Sequence, residues 1–167
     1  MPTHGPGHLK AFDYVGFYRY FLTFCTDSRQ RLFSISPAVA LVLGQIEQIA
    51  TQEEFAVVAY CFMPDHVHLL VEGRAEWSDC RRFIARAKQF LGFHYSRSFG
   101  GRLWQRYGFE HVLRNEETTL KVVRYILNNP LRAGIVTRVE DYPFAGSQMY
   151  TLEEILGAVA DAESPSG

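Results

Sequence analysis

The chain has 167 residues, of which 47% are apolar and 21% charged, and its formal net charge is −1. This length suits one domain with a full hydrophobic core, and no apolar run approaches the ~18 residues that a membrane-spanning helix needs. The N-terminal stretch MPTHGPGHLKAF lacks the apolar core of a signal peptide, and the three cysteines form no CxxC pair. We therefore expect a cytoplasmic protein without a cysteine-based zinc site.

The first half of the chain alternates between strand and helix patterns. Residues 18–26 are aromatic and typical of a strand, whereas residues 37–51 show helical spacing, with Ser36 as the expected N-cap and Pro37 at the first helical position. Residues 55–63 and 66–73 are predicted strands. Because only Pro64 and Asp65 separate them, the two strands should form a hairpin.

The second half continues with a long basic amphipathic helix at 78–99, which we expect Ser78 to cap and glycines to end. A further strand is predicted within 103–114, and a helix at 115–129 should stop at Pro130. We expect a single domain at 13–150, with a flexible N-terminus at 1–12. Residues 151–167 should form a C-terminal helix, opened by a capping box, and a disordered tail.

The predicted order of elements is β-α-β-β-α-β, followed by the terminal helix. This order is typical of the α+β ferredoxin-like (split βαβ) fold, an antiparallel sheet with two helices on one face. The other face should then be open for a site, with the helix at 115–129 near it. RNA-recognition modules share this layout, so the fold class alone does not assign a function.

Charge is unevenly distributed along the chain. Residues 74–138 carry 13 Lys or Arg against five Asp or Glu, a surplus of +8, whereas the remainder of the chain is at −9. A basic half beside an acidic half favours a polyanion bound on one side. A solvated surface of mixed charge is the alternative interpretation.

Two histidines stand one residue apart in the apolar stretch CFMPDHVHLLVEG, residues 61–73. Side chains on a strand alternate between the two faces, so His66 and His68 should share a face, about 7 Å apart. Val67, Leu69 and Val71 would lie on the other face and pack against the helices. The two imidazoles could converge on one cation, or they could simply pack on the strand surface.

Tyr125 is predicted on the polar side of its helix. At about 100° per residue, the apolar side chains of 118–130 fall in one sector, which contains Leu120, Val123, Ile126 and Leu127. Tyr125 lies almost opposite, in an i, i+4, i+8 stripe with Lys121 and Asn129. The position of Asn129 is the least certain, because the proline after it disfavours helical backbone. A surface tyrosine without function is the alternative.

These residues together suggest phosphoryl chemistry. An oriented phenol can attack phosphorus, and a divalent cation held by His66, His68 and the amide oxygen of Asn129 could polarise the phosphate. Nitrogen and oxygen ligands with open positions suit Mg²⁺ or Mn²⁺. Lys121, one turn before Tyr125, could steady a phosphate or the leaving oxygen.

The ordered motifs resemble the REP-associated tyrosine transposases, of the HUH single-strand nuclease group. The resemblance covers about residues 14–150 and rests on CFMPDHVHLLVEG, WQRYGFEHVLR and VVRYILNNPLRAGIV. It implies that Tyr125 attacks a DNA phosphate to form a 5′-phosphotyrosine link, and that His66, His68 and Asn129 hold the metal. It also implies single-stranded DNA and hairpins of repetitive extragenic palindromes as partners, for a monomer or a homodimer.

Other residues are weaker candidates for DNA contact. Four cations of the long helix could meet the phosphate backbone or simply form a solvated face: Arg81, Arg82, Arg86 and Lys88. Trp104, Tyr107 and Phe109 could stack on bases, although core packing is favoured for all three.

Two other functions compete with a transposase. A non-catalytic module of the RNA-recognition type would share the fold, but it would carry aromatic residues where the third strand carries histidines. A metal-dependent phosphoesterase that uses water would keep the metal site and leave Tyr125 without a role.

Overall fold

The computed structural model describes residues 14–113 and 116–164. The segment expected to be flexible at 1–12, and the end of the expected tail at 165–167, lie outside these residues. No helix in the described part of the chain has both the length and the hydropathy to cross a membrane.

Five strands form one antiparallel sheet. They are β1 (Arg19–Cys25), β2 (Phe55–Met63), β3 (His66–Gly73), β4 (Phe109–Leu113) and the short β5 (Ala145–Gly146). Their order in the sheet is β4-β1-β3-β2-β5, and each neighbouring pair is antiparallel. The first four strands follow the ferredoxin-like order, which confirms the predicted fold class. The predicted hairpin is present, because only two residues separate β2 from β3.

Among the described residues, five α-helices accompany the sheet: α1 (Ser36–Gln52), α2 (Cys80–Phe99), α3 (Glu116–Leu127), the single turn α4 (Asn129–Arg132) and α5 (Leu152–Glu163). The predicted capping box of the last helix is confirmed, with Thr151 accepting from the backbone N–H of Glu154 and the carboxylate of Glu154 accepting from that of Thr151. The prediction that Ser36 caps α1 is wrong. Ser36 is already helical, and the preceding residue, Ile35, caps without a side-chain hydrogen bond.

The predicted cap of α2 is also wrong, by one residue. Ser78 is fully buried, and its hydroxyl accepts from the backbone N–H groups of Arg74 and Ala75 while donating to the carbonyl of Glu54. That hydroxyl is therefore committed to the turn between β3 and α2. The carboxylate of Asp79 caps the helix instead, accepting from two N–H groups of the first turn, where a negative charge is favoured by the helix dipole.

The main hydrophobic core lies between the sheet and helices α1 and α2. Alternation along the strands directs every second side chain into it. From β1 and β3 it receives Tyr20, Leu22, Phe24, Val67, Leu69 and Val71, and from the helices Val42, Ile46, Phe83 and Leu91. This face of the sheet is therefore filled by packing.

The opposite face, which we expected to be open, is partly covered. Helices α3 and α5 pack there and form a second apolar cluster, which includes Cys61, Leu70, Val123, Ile126, Leu127, Ile155 and Val159. The apolar sector predicted for α3 thus lies on the sheet. These helices reduce the exposed area of this face of the sheet. They also place the end of α3 next to the start of β3, where the two histidines lie.

A close backbone approach requires glycine at position 73. A Cβ atom there would lie 2.0 Å from the carbonyl oxygen of Gly16 and 3.1 Å from Ser78 Cβ. We expect Gly73→Ala to lower the free energy of unfolding by about 3 kcal/mol, because backbone must move to relieve the clash. Chemical denaturation followed by circular dichroism measures this. Gly44→Ala, at an open position of α1, should instead be neutral or stabilising by about 0.5–1 kcal/mol; equal losses in both variants would contradict the steric explanation.

Candidate active site

The two histidines lie at the start of β3 and share one face of the sheet. His66 is opposite Cys25 of β1 and Met63 of β2, and His68 is opposite Thr23 and Cys61. Their ring centroids are 4.7 Å apart and the rings meet edge to face. The alternation of strand side chains therefore brings the imidazoles together as the sequence predicts.

Each imidazole is held through its Nδ1 atom. His66 Nδ1 lies 2.7 Å from Asp65 Oδ1, and His68 Nδ1 lies 2.8 Å from Thr23 Oγ1. A carboxylate can only accept, so Nδ1 of His66 carries the proton and the Nε2 lone pair is available. His68 has the same arrangement when its Nδ1 donates to the threonine hydroxyl. Such outer partners are typical of histidines that bind metals through Nε2.

His68 is the more buried member of the pair, with 7% of its surface exposed. Burial lowers its pKa to about 3, and repulsion from His66 in its protonated form, from Arg132 and from Arg29 acts in the same direction. The imidazole is consequently neutral at physiological pH, which is the form that can act as a ligand.

Asp65 does more than form the predicted turn. Arg29 donates to Asp65 Oδ2 at 3.0 Å, while His66 uses the other carboxylate oxygen. Burial of the carboxyl group raises its pKa, but the hydrogen bonds from His66 and Arg29 outweigh burial and leave the pKa below the ordinary value. Arg29 has a left-handed φ of 53°, a conformation costing roughly 1 kcal/mol outside glycine. A charged network thus orients the first histidine.

Tyr125 lies beside the second histidine. Its ring centroid is 5.8 Å from that of His68 and 6.0 Å from that of Phe21, and 48% of the residue is exposed. The guanidinium of Arg132 covers the ring at 4.1 Å from its centroid and also donates to the backbone carbonyl of Tyr125. The tyrosine ring is therefore held by packing and by a cation, while about half of the residue stays exposed.

Asn129 lies next to the first histidine, as predicted, but it is not part of the same helix as Tyr125. The stripe through Lys121 and Tyr125 breaks after α3, because Asn129 begins the separate turn α4 with Pro130 behind it. Its amide nitrogen lies 3.4 Å from His66 Nε2. Rotation of the amide by half a turn would present the oxygen Oδ1 at the same place.

The donor set fits a divalent cation of the Mg²⁺ or Mn²⁺ type. Two imidazole nitrogens and one amide oxygen are the available donors, and further coordination positions would stay open for oxygen atoms of a substrate. Within residues 14–113 and 116–164, no group of three His, Cys, Asp or Glu side chains is assembled. Any ion held here would accordingly need the amide of Asn129 or oxygen atoms from outside the protein.

The other predicted site residues are not gathered at the histidine pair. Arg82 and Arg86 form ion pairs with Glu53 at the end of α1, and Arg81 stacks over the ring of Tyr14. These three lie on α2, on the opposite side of the sheet from the histidines. Lys88 is also on α2, but it faces the segment before β4 and lies apart from the three arginines named above.

Lys121 is exposed on α3, one turn before Tyr125. It lines a small cavity of about 160 Å³ between α3 and α5, together with Arg124 and Glu163. Arg124 and Glu163 form an ion pair across this cavity. Lys121 thus lies near the terminal helix α5, and it also lies one turn from Tyr125 on the same side of α3.

Five residues of this site have no functional role predicted from the sequence: Phe21, Thr23, Arg29 and Arg132 carry no prediction, and Asp65 is expected only in a turn. Asp65 directly precedes His66, so a carboxylate next to a candidate ligand was a usable signal. Arg132 lies seven residues after Tyr125, two helical turns further along the chain. Thr23 carried no local signal, because its contact depends on the pairing register of β1 and β3.

Comparison with known proteins gives consistent results. A family model described as IS200-like transposase matches residues 15–129. A protein of Haemophilus influenzae that bears the provisional name of REP-associated tyrosine transposase is 25% identical over 145 residues, covering 75% of this chain and 77% of the relative. The REP-associated tyrosine transposase of Escherichia coli K12 is 32% identical over 103 residues, covering 60% of this chain and 59% of the relative.

Two solved structures share the fold. A REP-associated tyrosine transposase bound to a REP hairpin superimposes with a TM-score of 0.68 at 22% identity, covering 83% of this chain and 81% of that one. A crystal structure from Deinococcus radiodurans, provisionally described as a transposase, gives a TM-score of 0.53 at 26% identity, covering 72% of this chain and 97% of that one.

Proposed function

The chain belongs to the family of IS200-like transposases, enzymes that cleave DNA and transfer its strands, and from this membership we propose that Tyr125 is its nucleophile. The observation that carries the proposal is spatial convergence. Tyr125 lies against His68, and Asn129 lies against His66, although the members of each pair are more than 55 positions apart in sequence. A phosphodiester placed between them would contact the phenol and the imidazole pair together.

The proposed reaction is a phosphoryl transfer from the 3′-oxygen of a DNA strand to the phenol oxygen of Tyr125. The phenol oxygen of Tyr125 attacks a phosphate of single-stranded DNA, the bond from phosphorus to the 3′-oxygen breaks, and the phenol proton is lost. The 3′-oxygen leaves as a hydroxyl after taking up a proton, and the DNA remains attached as a 5′-phosphotyrosine. Attack by a 3′-hydroxyl on this link reverses the step and rejoins a strand without ATP.

The residues around the tyrosine supply position and charge. Arg132 and Phe21 restrict the ring, so the phenol is already oriented before DNA binds. His66, His68 and Asn129 would hold a divalent cation, which when bound supplies charge neutralisation at the scissile phosphate. Because the contacts of Tyr125 are with the histidine of its own chain, we infer that it serves its own active site.

We further propose that the DNA is a hairpin of the repetitive extragenic palindrome type with a single-stranded flank. Both curated relatives carry REP association in their names, and one structural relative was solved with a REP hairpin. The surplus of +8 in residues 74–138 supports a polyanionic partner.

An adduct assay tests this function. The full chain is incubated with a labelled REP-type hairpin and Mg²⁺ or Mn²⁺, and denaturing gels are inspected for a covalent protein–DNA species. We expect an adduct whose attached peptide contains Tyr125 by mass spectrometry. Cleavage without an adduct would favour a phosphoesterase that uses water, and binding without cleavage would favour a recognition module.

Arg132 is expected to act as a positioning residue for Tyr125. Arg132→Gln should slow adduct formation about 10- to 100-fold under single-turnover conditions, because the ring loses the planar cation that restricts it. The affinity for DNA should change much less than the rate. Arg132→Lys should recover only part of the rate, since ammonium lacks the planar stacking surface of guanidinium.

The matched control for this prediction is Arg138→Gln. Arg138 is an exposed arginine that pairs with Glu140, and its loss should leave the rate of adduct formation unchanged. Equal effects of the Arg132→Gln and Arg138→Gln substitutions would show that general surface charge, not positioning, is responsible.

A further inference from the structure

A second cationic site lies outside the candidate active site. A cavity of about 470 Å³ separates α2 from the segment 101–106 that precedes β4, and its lining includes Lys88, Arg102, Trp104, Gln105 and Arg106. We propose that this cavity binds a backbone phosphate of the DNA strand flanking the scissile phosphate. This proposal rests on the proposed function and adds a substrate contact to it.

The charge of the cavity suits a phosphate. Three of its lining residues are cations, Lys88, Arg102 and Arg106, and none is acidic. The nearest acid to this group in the described ion pairs is Asp27, whose carboxylate is 4.0 Å from Arg102 Nε. At that distance and with an exposed arginine, the pairing neutralises little of the positive charge.

The cations are held in place by the backbone of the same segment. Lys88 Nζ donates to the carbonyl of Arg106 at 3.0 Å, and Arg102 Nε donates to the carbonyl of Trp104 at 2.9 Å. Neither bond neutralises a charge. Burial lowers the pKa of Lys88, and the charge of Arg102 lowers it further. An anion in the cavity would favour the charged form of the lysine and offset the repulsion from Arg102.

The cavity lies at the same end of the sheet as the histidine pair. The backbone N–H of Gln105, one of its lining residues, donates to the carbonyl of Cys25 at 3.0 Å, and Cys25 is the register partner of His66. Two strand spacings therefore separate Gln105 from His66, which is about 10 Å. The cavity itself lies on the α2 side of the sheet, so a strand held at the active site would reach it by passing around this end of the sheet with the nucleotides next to the scissile phosphate.

An exposed aromatic residue beside the cavity favours nucleic acid over a small free anion. Tyr107 is 60% exposed and its ring lies 5.4 Å from the guanidinium carbon of Arg106. Phosphate contacts next to an open aromatic face are the usual combination for binding single strands, because any base can stack on the ring.

The test compares DNA binding by exposed-cation variants of the full chain. A fluorescein-labelled REP-type hairpin with single-stranded flanks is titrated in fluorescence anisotropy across a series of KCl concentrations. Arg102→Gln and Arg106→Gln should each weaken binding several-fold and reduce the slope of log K against log salt by about 0.7, the value for one lost phosphate contact to a single strand. Arg97→Gln, an exposed arginine further along α2, should leave the slope unchanged.

A neutral methylphosphonate placed at successive flanking positions locates the contact. At one position near the scissile phosphate, the modified DNA should bind to wild type and to Arg106→Gln with equal affinity. The methylphosphonate and the substitution each remove the same ionic contact, so the second change causes no further loss. The proposal is overturned if both cavity variants keep the wild-type salt slope. It is also overturned if their loss of DNA affinity only equals that of Arg97→Gln. Adduct formation is scored separately, so failure of the tyrosine mechanism would be recognised independently of these slopes.

Discussion

Replacing Tyr125 by phenylalanine should abolish the covalent adduct with DNA and lower strand cleavage by on the order of 10⁴-fold or more, as expected when a nucleophile is removed. Only the hydroxyl is deleted, so the ring contacts with Phe21, His68 and Arg132 can persist. The fold, the affinity for DNA and the response to salt should all be retained. Labelled hairpin, denaturing gels and anisotropy measure these quantities on one preparation.

Tyr150→Phe is the matched control for this substitution. Tyr150 is exposed to the same extent as Tyr125, but it lies outside the contacts of the histidine pair, and its phenylalanine variant should form the adduct at the wild-type rate. Persistent cleavage by Tyr125→Phe at a rate near wild type would exclude the tyrosine mechanism and favour attack by water at the same site.

Substitution of either histidine should remove the response of cleavage to divalent cations. His66→Ala and His68→Ala each delete one imidazole of the proposed pair, and we expect cleavage to fall by on the order of 10³-fold, since charge neutralisation at a phosphate contributes several kcal/mol. Binding of Mn²⁺, followed by electron paramagnetic resonance without DNA, should weaken in parallel. Affinity for the hairpin and its salt dependence should largely remain.

The two positions differ in how much they affect folding. His68 is buried and hydrogen-bonded to Thr23, whereas His66 retains more exposure, so His68→Gln is the safer variant of the second position. His94→Ala, on α2, is the control and should leave Mn²⁺ binding and cleavage unchanged. Wild-type Mn²⁺ binding by both site variants, with thermal unfolding unaltered, would show that the imidazoles do not hold the cation.

A mixing experiment distinguishes action within one chain from exchange between chains. Tyr125→Phe supplies intact histidines, and His66→Ala supplies an intact tyrosine. If each tyrosine serves its own site, a mixture of the two inactive variants should stay inactive. Recovery of adduct formation in the mixture would show that a second subunit completes the site.

Much of the fold was predictable because local periodicity carries it. The bounds of β2 and β3 agree with the predicted strands, and the two-residue connection between them left few alternatives to a hairpin. The helix predicted at 115–129 ends at Leu127, a separate turn follows, and the face expected to be open is partly covered. The remaining errors were at helix starts. Ser36 and Ser78 have the right chemistry for caps, but a cap is decided by which residue first leaves helical backbone geometry and by what else competes for its hydroxyl.

The sequence by itself determined the facing of side chains within each element. Alternation along a strand is sufficient to place His66 beside His68, and the helical repeat is sufficient to turn Tyr125 away from its apolar sector. The ordered motifs were also sufficient to indicate the family, which the comparisons confirm. All of these are properties of neighbouring residues.

Only the tertiary structure decided which elements meet. The approach of Asn129 to His66, the hydrogen bond between His68 and Thr23 and the contact of Arg132 with the ring of Tyr125 depend on strand register and on how α3 packs across the sheet. The cavity beside Lys88 likewise forms from two segments that are separate in sequence. Such contacts result from the packing of whole layers, and no local pattern specifies the distance between side chains on different elements.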